Sequence, residues 1–377
     1  SRDRDHDLGG DGMTRRAVTS SEQTSSEQTS SEQSRRGHPG RSLARRLRVV
    51  AVSAMCAVMV TSIAGCGVGD SLVGIHAAPQ AKADTAPLTV DQAKKILTRS
   101  FTAAYLGEST TGQAAKTALQ TAYTTEGLRG VNGRSKLAKA QPATAQSLLQ
   151  APHPKLLAVS RGFGFPRFIL AQTVASEGGL PVLHLLTSPD AATPYRIATS
   201  VEMVPPAHVN PFNPLGQGSP LVTKNTGLAV DPAKLMSLYA AQMAFPAKPA
   251  GRSPFVADPF SSQIRTGAAG VAKAVAVQAT FTQTHKVIPS SVYAVGQADG
   301  GGLVFGVIER TDHFAVKKGQ SVKTVGNKGF VLLSGKKSVA RSASITTLEF
   351  VVFSVPASAG KATLVAAREQ LVAGSGS

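Results

Sequence analysis

Arg41, Arg45, Arg46 and Arg48 precede an uncharged, largely apolar run at 49–64, and a cysteine stands two residues beyond it. No other stretch constrains the chain as strongly. The run is shorter than the ~20 apolar residues that a spanning helix needs. Its length and basic lead match the h-region and n-region of a signal peptide, with the arginines kept on the cytoplasmic side. What folds is then the sequence beyond it. A simple transmembrane anchor, or a plain secretory peptide with a chance cysteine, are the competing readings of the same residues.

The run closes on Ile63-Ala64-Gly65-Cys66: an aliphatic residue, two small ones and a cysteine. This pattern resembles the lipobox of bacterial lipoproteins. The resemblance implies cleavage between Gly65 and Cys66 and a diacylglycerol on the Cys66 thiol through a thioether. It implies a body held on the outer face of the cytoplasmic membrane. Each buried methylene contributes about 0.8 kcal/mol, and one acyl chain alone anchors only marginally. Two chains hold a protein stably without a spanning helix.

The head at 1–40 cannot contribute a core. Ser20-Ser21-Glu22-Gln23-Thr24 repeats at Ser25 and begins again at Ser30, a polar low-complexity tract of the kind that stays disordered. Met13 reads as the start of translation. Residues 41–65 form the expected signal peptide. Cys56 lies inside it, so a mature chain acylated at Cys66 has no free thiol, disulfide or cysteine-bound zinc. Of the 40 Lys/Arg and 22 Asp/Glu, 10 and 7 lie before Cys66, which leaves 30 against 15. The excess is a statement about partners rather than fold. It is concentrated at Lys317, Lys318, Lys323, Lys328, Lys336 and Lys337, between Arg310 and Arg341. Lys317, Lys318, Lys336 and Lys337 are the candidate contacts with an anionic surface, either lipid headgroups or an acidic wall polymer. Nucleic acid is not expected outside the membrane. A solvated loop face is the plainer reading of the same charges.

The mature chain of about 310 residues suggests two domains of ordinary size. Residues 66–87, rich in alanine and glycine, read as a flexible tether reaching some tens of ångströms, at roughly 5–6 Å × √n. A first domain is expected at 88–204. Thr89-Val90-Asp91-Gln92 forms a capping box, and Ile96, Leu97, Phe101, Ala104 and Tyr105 recur on one helical face. Further helices are expected at 114–123 and, more weakly, at 137–149. Strands are expected at 155–161, 167–175, 180–187 and 195–203. In the last of these, Tyr195, Ile197, Val201 and Met203 share one face of a half-buried antiparallel strand. Residues 205–230 hold Pro205, Pro206, Pro211, Pro214 and Pro220 and read as a semi-rigid interdomain linker.

A second domain at 231–374 repeats the plan. Asp231-Pro232 is an N-cap with proline at the first helical position, and 259–272 adds helix. Strands follow at 275–287, 291–296, 303–310, 345–355 and 362–372. The likeness of 200–205 to 351–356 raises an internal duplication. Helices followed by antiparallel strands give an α+β class. The expected architecture is two domains, each with helices packed on a curved antiparallel sheet. Such halves resemble the cone-shaped fold of the nuclear transport factor two and cystatin-like groups. The mature chain as a whole resembles a family of uncharacterised actinobacterial lipoproteins, which implies no activity.

Local patterns for chemistry are weak. Gly335-Lys336-Lys337-Ser338 looks like the end of a phosphate-binding loop, but its leading glycine falls on Phe330. A Gly-x-Ser-x-Gly elbow is missing from the sequence. The mature histidines are His76, His153, His184, His208, His285 and His313, with no two spaced for one helix face. Glu309, Asp312 and His313 offer the densest titratable group, read as a polar loop. His184 reads as a satisfied histidine inside a strand. Phe163-Gly164-Phe165-Pro166 reads as a turn carrying core anchors. No catalytic, cofactor or metal residue is assigned. The expected role is non-catalytic binding or scaffolding at the cell envelope. The alternatives are a hydrolase assembled only in space and a small-molecule carrier using a cone cavity.

Overall fold

Thr89 opens the first helix as its capping box predicts. Its Oγ1 accepts from the Gln92 amide at 3.2 Å, and Gln92 Oε1 accepts from the Thr89 amide at 2.8 Å, satisfying two donors that a helix start leaves orphaned. The computed structural model describes residues 84–138, 154–174, 179–222, 227–247 and 253–377. The head, the signal segment, Gly65, Cys66 and the tether up to residue 83 lie outside these.

Three helices lead the chain: α1 (Val90–Ser109), α2 (Gly112–Ala122) and α3 (Thr125–Ala138). The third lies earlier than the expected 137–149, most of which falls outside the described residues. Gly127, Gly130 and Gly133 hide it, since each glycine weakens a helix by about 1 kcal/mol relative to alanine. They share one face. A Cβ on Gly127 would stand 2.7 Å from Ile197 O, and one on Gly133 2.5 Å from Leu371 O. The helix therefore lies directly on backbone that any side chain would push away. Four strands follow: β1 (Lys155–Val159), β2 (Arg167–Val174), β3 (Pro181–Ser188) and β4 (Arg196–Glu202). They form an antiparallel meander in chain order.

The second half begins at α4 (Pro232–Gln242), capped by Asp231 Oδ1, which accepts from the Lys234 amide at 2.9 Å. Asp258 caps α5 (Pro259–Val275) in the same way through the Ser261 amide, 2.7 Å. Then come β5 (Ala279–Val287), β6 (Tyr293–Gly296), β7 (Gly302–Val316), β8 (Val322–Lys323), α6 (Lys328–Ser334), β9 (Ser338–Val339), β10 (Ser342–Val355) and β11 (Thr363–Gly376). The sheet order is β11-β10-β7-β5, with β6 also on β7, and β8 and β9 form a separate ribbon. The class is α+β with antiparallel sheets. With β6 and the ribbon set aside, both sheets are helix-led four-stranded meanders. The similar sequences 200–205 and 351–356 begin in the last strand of one and the third of the other, so they do not mark equivalent positions.

The two sheets are not separate domains. Phe168, Leu170, Leu183, Leu185, Val201 and Met203 of the first pack in one cluster with Leu303, Phe305, Val307, Leu348, Phe350 and Val352 of the second. The outer face of the first sheet packs on α1–α3 through Leu97, Phe101, Leu119, Ile169, Leu186 and Ile197. The outer face of the second packs on α4 and α5 through Leu235, Tyr239, Ile264, Val304, Ile308 and Phe353. The described residues accordingly belong to one compact unit. It has four layers: helices, sheet, sheet, helices. The central strands of each sheet are buried on both faces over much of their length, which corrects the half-buried reading of β4. Its expected face is also split. A β-bulge shifts the β3–β4 register between Leu185 and Leu186, so Ile197 meets the helices while Val201 and Met203 meet the other sheet.

The proline-rich segment expected to link two domains is instead tied to both sheets. The Val204 amide donates to Val365 O (2.9 Å), Ser219 to Val159 O (2.8 Å), Val222 to Ala294 O (2.8 Å), and Ala298 donates back to Pro211 O (2.9 Å). Ala207, Val209, Phe212 and Leu221 pack against the shared core. Prolines cannot sustain a strand ladder, because they lack the N–H. They do suit an extended strap bonded at intervals.

The glycine face of α3 makes a test of sign. Gly133→Ala forces α3 off β11 and is expected to destabilise by about 1–3 kcal/mol from overpacking. Gly267→Ala in α5 meets nothing within 4 Å and is expected to stabilise by about 0.5–1 kcal/mol. Urea unfolding of both variants reads the difference. Equal shifts would contradict the close approach.

Candidate functional site

The lysines singled out from the sequence meet at one end of the second sheet. Lys317 and Lys318 follow β7, and Lys336 and Lys337 precede β9. The Val316 amide donates to Arg341 O at 2.8 Å, and Thr324 donates to Lys337 O at 2.9 Å, joining the turns. Lys318, Lys323, Lys328, Lys336, Lys337 and Arg341 are all exposed, and Asp312 is the only acidic residue in 310–341. Lys317 has a structural duty: its Nζ donates to Ala276 O at 2.6 Å, at the C-cap of α5, where a cation suits the helix dipole. A small core of Phe330, Val339 and Ala343 supports this end.

Next to it, the face of β5, β7, β10 and β11 turns from apolar to ionic. His285 Nδ1 lies 2.9 Å from Glu349 Oε2, with both side chains wholly buried. The Met243 carbonyl accepts from Gln283 Nε2 at 2.9 Å, and the same amide nitrogen lies 2.9 Å from His285 Nε2. A carbonyl can only accept, so that Gln283 nitrogen is a donor and His285 Nε2 accepts from it. The ring proton is thereby placed on Nδ1, facing Glu349. Arg310 Nη1 donates to Glu349 Oε1 (3.2 Å) and Glu369 Oε1 (2.9 Å), and its Nε stands 3.4 Å from Asp312 Oδ2. Burial pushes the Asp312 carboxyl above the usual carboxylate range, against the pull of Arg310. A His–Glu pair invites a catalytic reading, but no substrate atom reaches side chains with no exposed surface. The network joins four strands.

A second arrangement mimics a catalytic triad. Ser200 Oγ lies 2.9 Å from His184 Nδ1, and Thr173 Oγ1 lies 2.8 Å from Nε2. Phe101 covers the ring edge-on at 4.9 Å. The third member is a hydroxyl rather than a carboxylate. Burial lowers the imidazole to about 3, so the ring cannot take a serine proton near neutral pH. The trio pins β2, β3 and β4 together, in line with the satisfied-histidine reading.

Between α3, α6 and β11 lies an open hollow of about 450 Å³. Its lining includes Arg134 and Arg368 together with Arg310, Asp312 and Glu369. Arg134 Nη2 is held by Glu108 Oε2 at 2.6 Å, and Tyr123 Oη donates to the other carboxylate oxygen at 2.5 Å. Arg368 has a weaker hold, one bond from Nη2 to Gln370 Oε1 at 3.2 Å. Burial, with Arg134 close by, pushes its guanidinium down to about 10, against the pull of Glu202 and Glu108. A wider hollow, about 800 Å³, is an open groove between α4 and β5. Its floor residues Gln283 and His285 are already bonded to each other.

Other expectations fare unevenly. Alternation along β7 separates Glu309, which pairs with Arg129 at 2.5 Å, from Asp312, and His313 Nδ1 meets only Ser344 Oγ at 3.0 Å. Gly335 is the left-handed C-cap of α6, with φ 70°, so the lysines beside it follow a helix rather than open one. Phe163 and Phe165 do sit in a turn but are surface groups, 52% and 39% exposed, with Arg167 stacked on Phe165. Among the described residues no three His, Cys, Asp or Glu side chains gather as metal ligands, and no helix is long and apolar enough to cross a membrane. The pairing of Arg134, Arg310, His285 and Glu349, and the place of Arg368 beside Arg134, could not be read from the sequence, because their partners lie on other strands and helices.

No curated protein and no solved structure matches the chain. One family model does, over residues 164–376, from the β1–β2 turn to the end of β11. That span is more than half of the sequence and takes in β2–β4 of the first sheet, the strap, the second sheet and the basic end, and on it the chain belongs to the family described as Domain of unknown function (DUF8094).

Proposed function

We propose that this chain is a lipid-anchored extracytoplasmic protein with a non-catalytic binding or scaffolding role at the cell envelope, and that its basic end engages an acidic polymer. The observation carrying this reading is how charge is distributed. The buried Glu108, His285 and Glu349 are bonded to other side chains of the fold, whereas six exposed cations crowd one end. Polymer is favoured over the anchoring bilayer by where the chain enters the body. Thr85 O accepts from Gly162 and Gly216 O from Ala86, beside the strap that reaches Gly296. Gly296 pairs with Gly302, at the opposite end of β7 from Lys317. Strand β7 spans about 45 Å at 3.3 Å per residue.

The anchor is tested at Cys66. Cys66→Ala is expected to move the protein from the detergent-rich to the aqueous phase in a cloud-point separation, and to release it from membranes. Continued partition with detergent would overturn the lipid anchor.

A further inference from the structure

We infer that the hollow between α3, α6 and β11 is a binding site for a single acidic group, a carboxylate or a phosphate, carried on a scaffold with hydrogen-bond donors. The inference rests on the polymer reading, in that the hollow would hold one unit of the chain that the basic end attracts. It borders that end, because Asn327 and Gly329 of the α6 cap form part of its wall.

Of the arginines in the lining, Arg368 is the least engaged. Glu108 balances Arg134 and is also bonded by Tyr123. None of the ion pairs among the described residues includes Arg368. Of the five N–H donors on a guanidinium, Arg368 spends one on the neutral Gln370 amide oxygen. Glu202 and Glu108 act on Arg368 without forming an ion pair with it, and a mostly buried cation beside a second cation is costly without an anion in direct contact. A planar guanidinium fork matches carboxylate and phosphate oxygens. The remaining charged lining, Arg310, Asp312 and Glu369, has the opposite balance, with Glu369 next to Arg368 on β11 and so on the other face of that strand. Asp312 and Glu369 share Arg310 with Glu349, so acceptors outnumber cations there. Glu369, 40% exposed at its side chain, is open to hydroxyl or ammonium donors on the same ligand. The volume, about 450 Å³, suits a unit the size of a sugar acid or a small phosphate ester.

The test is calorimetric titration of the mature chain carrying Cys66→Ser, with glucuronate and glycerol 3-phosphate as probes and glucose and glycerol as neutral controls. Saturable binding of one or both acidic probes and none of the controls is expected; which of the two binds distinguishes carboxylate from phosphate. Arg368→Gln should weaken the acidic probe by about 10- to 150-fold, the loss of a charge-assisted hydrogen bond, and Arg368→Lys by less. If Arg368→Gln fails to fold, Arg368→Lys decides: it keeps the charge and loses the planar fork, and affinity equal to that of the parent chain overturns the site. Equal binding of neutral and acidic probes, no saturation, or full affinity in Arg368→Gln also overturns it. Changing Lys318, Lys336 and Lys337 to glutamine should spare the small probes. Small-acid binding without polymer binding would therefore sink the polymer reading and keep the hollow; polymer binding without small-acid binding would do the reverse.

Discussion

Glu349→Ala is expected to lower the unfolding free energy by about 3–5 kcal/mol, the cost of removing one partner from a buried ionic network. Glu349 is wholly buried and receives both the His285 Nδ1 proton and Arg310 Nη1. Removing it leaves the Nδ1–H without an acceptor and Arg310 leaning on Glu369 and Asp312 alone. Much of the cost is the stranded donors, so Glu349→Gln, which keeps the shape and one acceptor, should lose less. Urea midpoints with unchanged slopes would read both changes as stability. A loss below about 1 kcal/mol in Glu349→Ala would show that the network is not what secures β5 to β10 across β7.

The second large effect is a pH dependence carried by His184. The folded ring is lowered to about 3 by burial, with no charged neighbour contributing, against about 6.5 when unfolded. Above about pH 6.5 neither state binds the proton, and the full stability is present. Between about 6.5 and 3 the unfolded chain binds it and the native state does not, so stability falls with falling pH. The slope approaches about 1.4 kcal/mol per unit where the difference is one full proton. His184→Gln, which can still accept and donate between Thr173 and Ser200, should remove this slope. Unfolding free energies of the two proteins from pH 7 to pH 4 should diverge by the wild type's extra loss. Parallel curves would mean that the folded ring takes up a proton after all.

These two groups show how unevenly the fold was legible. Helix starts were plain, because a cap is local: Thr89 with Gln92, and Asp231 with Pro232, announce themselves within four residues. Most strands were placed to within a few residues, and the class followed, although β7 runs six residues past its expected end and β8, α6 and β9 were not foreseen. The layering was misjudged, although a cue was present. Phe350-Val351-Val352-Phe353 and Phe168-Ile169-Leu170-Ala171 are unbroken apolar runs, the mark of strands covered on both sides, and they leave no free face for independent domains. The strap was misread because proline content reports the lack of ladder bonding and says nothing of contacts made at intervals. The bulge in β4 moved Ile197 to the other face, which alternation alone cannot foresee. Helix α3 was hidden by the glycines that let it lie flat.

The candidate site divides in the same way. The basic end was visible because its lysines are close in sequence. Arg134 and Arg368 are brought together only by α3 crossing β11, and His285 meets Glu349 across two strand pairings. No spacing rule connects such residues. The Ser200–His184 pair is the reverse case: a chemically suggestive contact that burial makes inert.

The central claim is that the exposed cations at the end of β7 bind an acidic polymer. The most direct measurement is the affinity of the mature Cys66→Ser chain for poly-glutamate at 50 and 200 mM salt, with Lys318→Gln/Lys336→Gln/Lys337→Gln measured beside it and vesicles of neutral and anionic lipid as comparison. The account predicts polymer binding that weakens steeply with salt, a marked loss of affinity in the triple variant with little change in unfolding, since exposed charges contribute little to stability, and weaker attachment to either vesicle. Binding that ignores salt, or survives intact in the triple variant, would contradict it, and tighter attachment to anionic vesicles than to polymer would assign this end to the membrane instead.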